Sequence, residues 1–145
     1  MIILQKIIKL YEKYKEIINY VIVGGLTTVV SLGTYYICVF TFLNPNHALE
    51  LQIANVLSWV AGVAFAYFTN RKYVFNSNNP NKLKEAIMFT LSRLVTLVLD
   101  MLIMGLGVSI LKFNDKIVKL ISQVVVVIGN YVFSKLFVFK KADKN

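Results

Sequence analysis

The sequence predicts an all-α integral membrane protein: four transmembrane helices built as two parallel-repeat helical hairpins, with an amino-terminal amphipathic interfacial helix in front. Three observations carry that expectation. Apolar stretches occupy residues 17–43, 51–68, 86–111 and 118–139, and a helix crosses the hydrocarbon with about 20 such residues. The connections between the stretches are short. The ending of the second stretch also recurs at the end of the fourth.

The 145 residues are 57% hydrophobic, with a mean hydropathy of +0.65 and a net charge of +9. No block of about 50 residues, the lower size of a domain, is polar enough to fold in water. In a soluble protein such a charge would point to nucleic acid. Here the bases gather at helix ends, where they orient the chain and meet anionic headgroups, so no nucleic-acid partner is expected. The single cysteine, Cys38, excludes an intrachain disulfide. The single histidine, His47, sits in an Asn-Pro-Asn-His turn and forms no metal site; neither metal nor cofactor is implied.

Residues 1–16 form the first expected unit. Ile3, Ile7, Leu10 and Tyr14 recur at helical spacing while Lys6, Lys9, Lys13 and Glu16 fall elsewhere around the helix, the pattern of a helix lying in the membrane interface. A solvated extension of the first span has the same pattern. The charges are interleaved with apolar residues and no small-residue cleavage site follows, so a removed signal peptide is not expected. Residues 17–145 form the second unit, the four-helix transmembrane domain.

The first span is apolar apart from hydroxyls and Asn19. The second carries Asn55, then Ser58, Gly62, Ala66 and Asn70 at spacings of four, and small residues at that spacing let helices approach closely. It closes on YFTNRKYVF (67–75), which lies 64 residues before YVFSKLFVF (131–139). Tyr67 matches Tyr131, Arg71 matches Lys135, and Val74-Phe75 matches Val138-Phe139. Tyr20 and Phe89 open the first and third spans in the same way. Two hairpins related by an axis along the membrane normal follow from this register, a symmetry of small transporters. The segment NSNNPNK (76–82) is turn chemistry and divides the hairpins.

The third span carries Arg93 and Asp100, which fall on one helical face because seven residues make about two turns. The fourth carries Lys119, Gln123, Asn130 and Ser134 within about 60° of one another, a polar stripe along the helix. Ionisable groups at membrane depth are costly and mark substrate paths. Spans two, three and four are therefore expected to line a polar seam with Arg71 and Arg93 towards one end and Lys119 towards the other. A lipid phosphate suits it, since Arg binds phosphate with two parallel hydrogen bonds and Lys as a point charge. A structural pairing of Arg93 with Asp100 is the alternative.

Twelve of the bases fall on one side if all four helices span, namely Lys6, Lys9, Lys13, Lys15, Arg71, Lys72, Lys82, Lys84, Lys135, Lys140, Lys141 and Lys144; only Lys112, Lys116 and Lys119 fall on the other. Positive loops stay in the cytoplasm, so a multi-pass cell-membrane protein with both termini cytoplasmic is expected.

These residues together resemble the GtrA-like family of small four-span membrane proteins, and within it the GtcA-type teichoic-acid glycosylation proteins of Gram-positive bacteria. The resemblance runs from Tyr20 to Phe139. It rests on Val23-Gly24-Gly25, Asn55, Ala66, the closure Asn70-Arg71-Lys-Tyr-Val74-Phe75, Arg93, Asp100, Lys119 and Asn130. It implies a flippase that moves a polyprenyl-phosphate-linked sugar, such as an undecaprenyl phosphate lipid, to the outer leaflet. Membrane glycosyltransferases would then decorate teichoic acid or another cell-surface polysaccharide. By the same resemblance Ala66, Asn70, Val74, Phe75, Arg93, Lys119 and Asn130 are the functional positions; Ser134-Lys135 in place of Asn70-Arg71 makes the second ending a weaker match.

Chemistry and resemblance together put the phosphate on Asn70, Arg71 and Arg93, sugar hydroxyls on Asn130 and Gln123, and the departing phosphate on Lys119. A non-transporting scaffold of a glycosyltransferase complex is the alternative. A cationic-drug antiporter is disfavoured because the first span holds no deep carboxylate. An enzyme is not expected, because the chain has no Asp-x-Asp pair and little mass outside the membrane. Four helices give few walls to a headgroup path, which points to a homo-oligomer.

Overall fold

The computed structural model describes residues 1–140; Lys141 and Lys144, counted above among the bases, lie outside the described residues. Four helices appear in chain order: α1 (Ile2–Thr41), α2 (Ala48–Thr69), α3 (Lys82–Met104) and α4 (Asp115–Phe133). The last three continue into wider π-helical segments, π1 (Asn70–Val74), π2 (Gly105–Ile110) and π3 (Ser134–Val138). Among the described residues there is no strand. All four helices are long and apolar enough to cross a membrane, and only 11–22% of each span's apolar window is buried within the protein. The rest, such as Phe40 at 81% exposure, is surface for lipid. This is a multi-pass membrane protein.

The chain divides into two compact units, Met1–Asn76 and the residues from Ser77 onward. The division falls in the predicted turn, where Asn76 takes a positive φ of 46°. Each unit is one helical hairpin.

In the first hairpin α1 runs without a break from Ile2, about 60 Å at 1.5 Å per residue. The amino-terminal amphipathic stretch is thus not set off as a helix of its own; it continues the first span. Hydroxyls in this span bond to carbonyls one turn back, Thr27 to Val23 at 2.8 Å and Thr34 to Val30 at 2.8 Å, so the span carries them without exposing unmet donors to lipid. The connection is an Asx turn in which the Asn44 side chain accepts the Asn46 N–H at 3.0 Å. Helix α2 then packs back along α1. Gly62 makes the closest approach: a Cβ there would lie 2.1 Å from Ser31 Oγ. Ala54, Gly62, Ala66 and Asn70 are all buried, so the stripe of small residues is the helix-packing face.

The second hairpin follows the same plan. Asn81 caps α3, its side chain accepting the Lys84 N–H at 3.1 Å, and Asn114 caps α4 by accepting the Lys116 N–H at 3.0 Å. Lys112 takes a positive φ of 57° in the connection. Gly107 lies against α4; a Cβ there would stand 2.6 Å from Val118 Cγ1.

Each hairpin closes on a π turn in the same register. The Phe75 N–H reaches Asn70 O at 2.9 Å, and the Phe139 N–H reaches Ser134 O at 2.8 Å. An α-helix would turn successive side chains about 100° apart. The wider turn lets the adjacent pairs Val74-Phe75 and Val138-Phe139 both point inward, and all four are buried. Phe75 then meets Tyr20 with ring centroids 6.5 Å apart, and Phe139 meets Phe89 at 5.9 Å. Tyr20 and Phe89, which open the first and third spans, thus each meet the phenylalanine that closes their own hairpin.

Candidate functional site

The polar groups of the spans lie at corresponding places in the two hairpins, and most of the charge lies in the second. In the first, Asn70 opens π1 and is 1% exposed. Its Nδ2 donates to Ala66 O at 2.7 Å, while its Oδ1 is buried without a hydrogen-bond partner. Ser134 opens π3 at the matching position, fully buried, and its hydroxyl is likewise unpartnered. A buried polar atom left unmet costs roughly 1–3 kcal/mol, so the same expense recurs at the same place in both copies. Arg71 follows Asn70 and is half-buried; Lys135 follows Ser134 and is exposed. Asn55, near the other end of α2, is exposed.

In the second hairpin Arg93 lies with its guanidinium 4.7 Å from the centroid of the Phe89 ring, a cation–π contact. One turn on, Thr96 Oγ1 donates to Asn130 Oδ1 at 2.7 Å, joining α3 to α4 through two buried groups. A further turn on, Asp100 is held by α4: the Lys119 ammonium donates at 2.8 and 3.1 Å and the Ser122 hydroxyl donates as well. Asp100 therefore takes its partners from the facing helix. The Lys119 side chain is 47% exposed, Asp100 17%. Arg93, Thr96 and Asp100 share a face of α3, as their spacing predicts. The stripe predicted on α4 divides: Asn130 and Ser134 are buried, Lys119 and Gln123 exposed.

Two groups escaped the sequence reading. Glu85 is 2% exposed in the first turn of α3 and accepts the Ser77 hydroxyl at 2.6 Å. Hydropathy drew the third span from residue 86, just past it. Ser122, the second ligand of the Asp100 carboxylate, is fully buried beside the more conspicuous Gln123. The repeat held the signal for both. At one offset Glu16, Tyr20, Gly24, Thr27 and Ser31 correspond to Glu85, Phe89, Arg93, Thr96 and Asp100. At the other, Asn55, Ser58, Ala66 and Asn70 correspond to Lys119, Ser122, Asn130 and Ser134. Gly24, Ser31, Asn55 and Ala66 in one copy thus stand where Arg93, Asp100, Lys119 and Asn130 stand in the other.

Comparison with known proteins agrees with this architecture. The family described as GtrA/DPMS, transmembrane domain, matches residues 19–139. The cell wall teichoic acid glycosylation protein GtcA of Listeria monocytogenes serovar 1/2a is 38% identical over 132 residues, covering 89% of this chain and 88% of that one. The protein of the same name from Listeria innocua serovar 6a is 40% identical over the same shares. The uncharacterized membrane protein YwcD of Bacillus subtilis is 35% identical over 128 residues, 86% of this chain and 97% of its own. No solved structure matches. With that match over residues 19–139 and these relatives, the chain belongs to the GtrA/DPMS transmembrane-domain family.

Proposed function

We propose that the protein carries a polyprenyl-phosphate-linked sugar from the inner to the outer leaflet, where a membrane glycosyltransferase uses it to decorate teichoic acid or another cell-surface polymer. The observation that carries this reading is the row of polar groups along the second hairpin: Arg93, then Thr96 with Asn130, then Asp100 with Lys119 and Ser122. Packing alone does not call for such a row in a span otherwise surfaced for lipid. The naming of the Listeria relatives after teichoic acid glycosylation supports the same direction.

A sugar phosphate passing through hydrocarbon loses its hydrogen bonds to water, at several kcal/mol or more in total. The protein's task is to replace them in stages. Near the cytoplasmic leaflet a phosphate binds to Arg71 beside Asn70 on the first hairpin or to Arg93 on the second, each guanidinium offering parallel donors. Asn130 meets sugar hydroxyls, with Gln123 further along α4. Lys119 receives the phosphate near the outer leaflet, and Asp100 holds the ammonium in place between passages. The prenyl tail stays in lipid throughout. Ala66, Val74 and Phe75 shape the π1 turn that presents Asn70 and Arg71; Asn55 lies at the opposite end of α2. The excess of bases on one side supports a cytoplasmic position for both termini. The protein performs no covalent chemistry in this scheme.

Replacing Arg93 by Ala tests the reading. Sugar delivery to the outer face stops while the protein accumulates to normal levels; wild-type decoration of the surface polymer in that variant refutes phosphate capture by Arg93.

A further inference from the structure

The first hairpin also holds a groove of about 830 Å³. It runs between α1 and the end of α2 with π1, and its walls change character along the α1 axis. Glu12, Lys13, Lys15 and Glu16 flank one end, with Lys72 opposite on π1. Asn19 lies one turn deeper, its Nδ2 donating to Tyr73 O at 3.3 Å across the groove. Leu26 and Phe65 line the far end. From Lys15 to Leu26 the floor passes from charged to amide to hydrocarbon over about 16 Å of helix.

That gradient fits an amphiphile aligned with α1 and does not fit a small soluble anion, which has no use for the apolar end. Lys15 on the α1 wall and Lys72 on the π1 wall supply cations at the charged end, where a phosphate at the head–tail junction would fall. The Glu12 and Glu16 carboxylates and the Asn19 amide oxygen are acceptors suited to hydroxyls, and the carboxylates' negative charge disfavours a head that carries phosphate alone. We infer that this groove is the docking site for the head of a phosphate-linked glycolipid, holding the phosphate between Lys15 and Lys72, the sugar towards Glu12 and the first part of the chain against Leu26 and Phe65. It rests on the transport reading above and adds the place where the lipid is first held.

The test is binding of a short-chain prenyl phosphate carrying one hexose to the full protein in phosphatidylcholine nanodiscs, with flipping in liposomes measured on the same preparations. Lys15 and Lys72 are exposed, so K15A/K72A keeps its helices, which circular dichroism checks. That variant weakens binding about tenfold. K6A/K9A, the same charge change on the same helix outside the groove, binds like the wild type, and E12Q weakens the sugar-bearing lipid more than the bare prenyl phosphate. Wild-type affinity in K15A/K72A, an equal loss in K6A/K9A, or full displacement by phosphatidylglycerol each overturns the groove. Groove-dependent binding without flipping upholds the docking site and refutes transport. Flipping that survives with unchanged binding in K15A/K72A does the reverse.

Discussion

Lys119 and Asp100 face each other across the second hairpin, ammonium to carboxylate at 2.8 Å, with the lysine half exposed and the aspartate largely covered. The pair is not symmetric in what it needs. Lys119 can turn outward, whereas Asp100, without it, keeps only the Ser122 hydroxyl. An anion that approaches Lys119 competes with a partner already in place, which makes the lysine a reversible binding point.

Lys119→Ala therefore lowers stability by about 1–2 kcal/mol, less than a fully buried pair because of the lysine's exposure, and it ends delivery of sugar to the outer face. Asp100→Asn costs less stability and retains delivery. Thermal unfolding in nanodiscs beside surface-glycan labelling checks both, and equal loss of delivery in the two variants contradicts the division of roles.

Gly62 is a packing glycine. Gly62→Ala places a methyl on Ser31 Oγ and destabilises the first hairpin by about 1–3 kcal/mol. Adding Ser31→Ala removes that oxygen and restores most of the loss. The double-mutant cycle read by thermal unfolding should show coupling of at least about 0.5 kcal/mol.

Ser134→Ala deletes a buried hydroxyl that has no partner, so stability holds or rises by up to about 1 kcal/mol. Asn70→Ala at the matching position removes the bond to Ala66 O along with the orphaned oxygen and loses transport. A strongly destabilising Ser134→Ala would show that the hydroxyl has a partner after all.

The buried bond from Thr96 to Asn130 joins α3 to α4. Thr96→Val leaves Asn130 Oδ1 without its donor and costs about 1–3 kcal/mol. Asn130→Leu in the same background recovers part of it while abolishing transport. Unfolding and flipping measured together separate the two effects.

The spans were legible because length and hydropathy alone decide them, and the turn at 76–82 because Asn, Pro and Ser cluster there. Their ends were not. The second apolar stretch stops at residue 68, yet the chain continues helically through residues 70–74 by widening its turn, a choice made by the inward packing of Val74 and Phe75 together. Glu85 was lost for the same reason: a hydropathy boundary cannot see a carboxylate that a caught Ser77 hydroxyl makes comfortable. Helical angles placed Arg93 and Asp100 on one face but could not name the partners of Asp100, since those depend on the register of the facing helix. That register brings Ser122 inward and leaves Gln123, one residue and about 100° away, exposed.

Reconstitution tests the central claim most directly. Purified protein in liposomes, given a labelled polyprenyl-phosphate hexose in one leaflet, should expose it in the other without any partner, and the Arg93→Ala protein should not. Labelled lipid that stays in its leaflet with the wild type, while the same protein supports glycosylation beside a glycosyltransferase, contradicts transport and leaves a scaffold in its place.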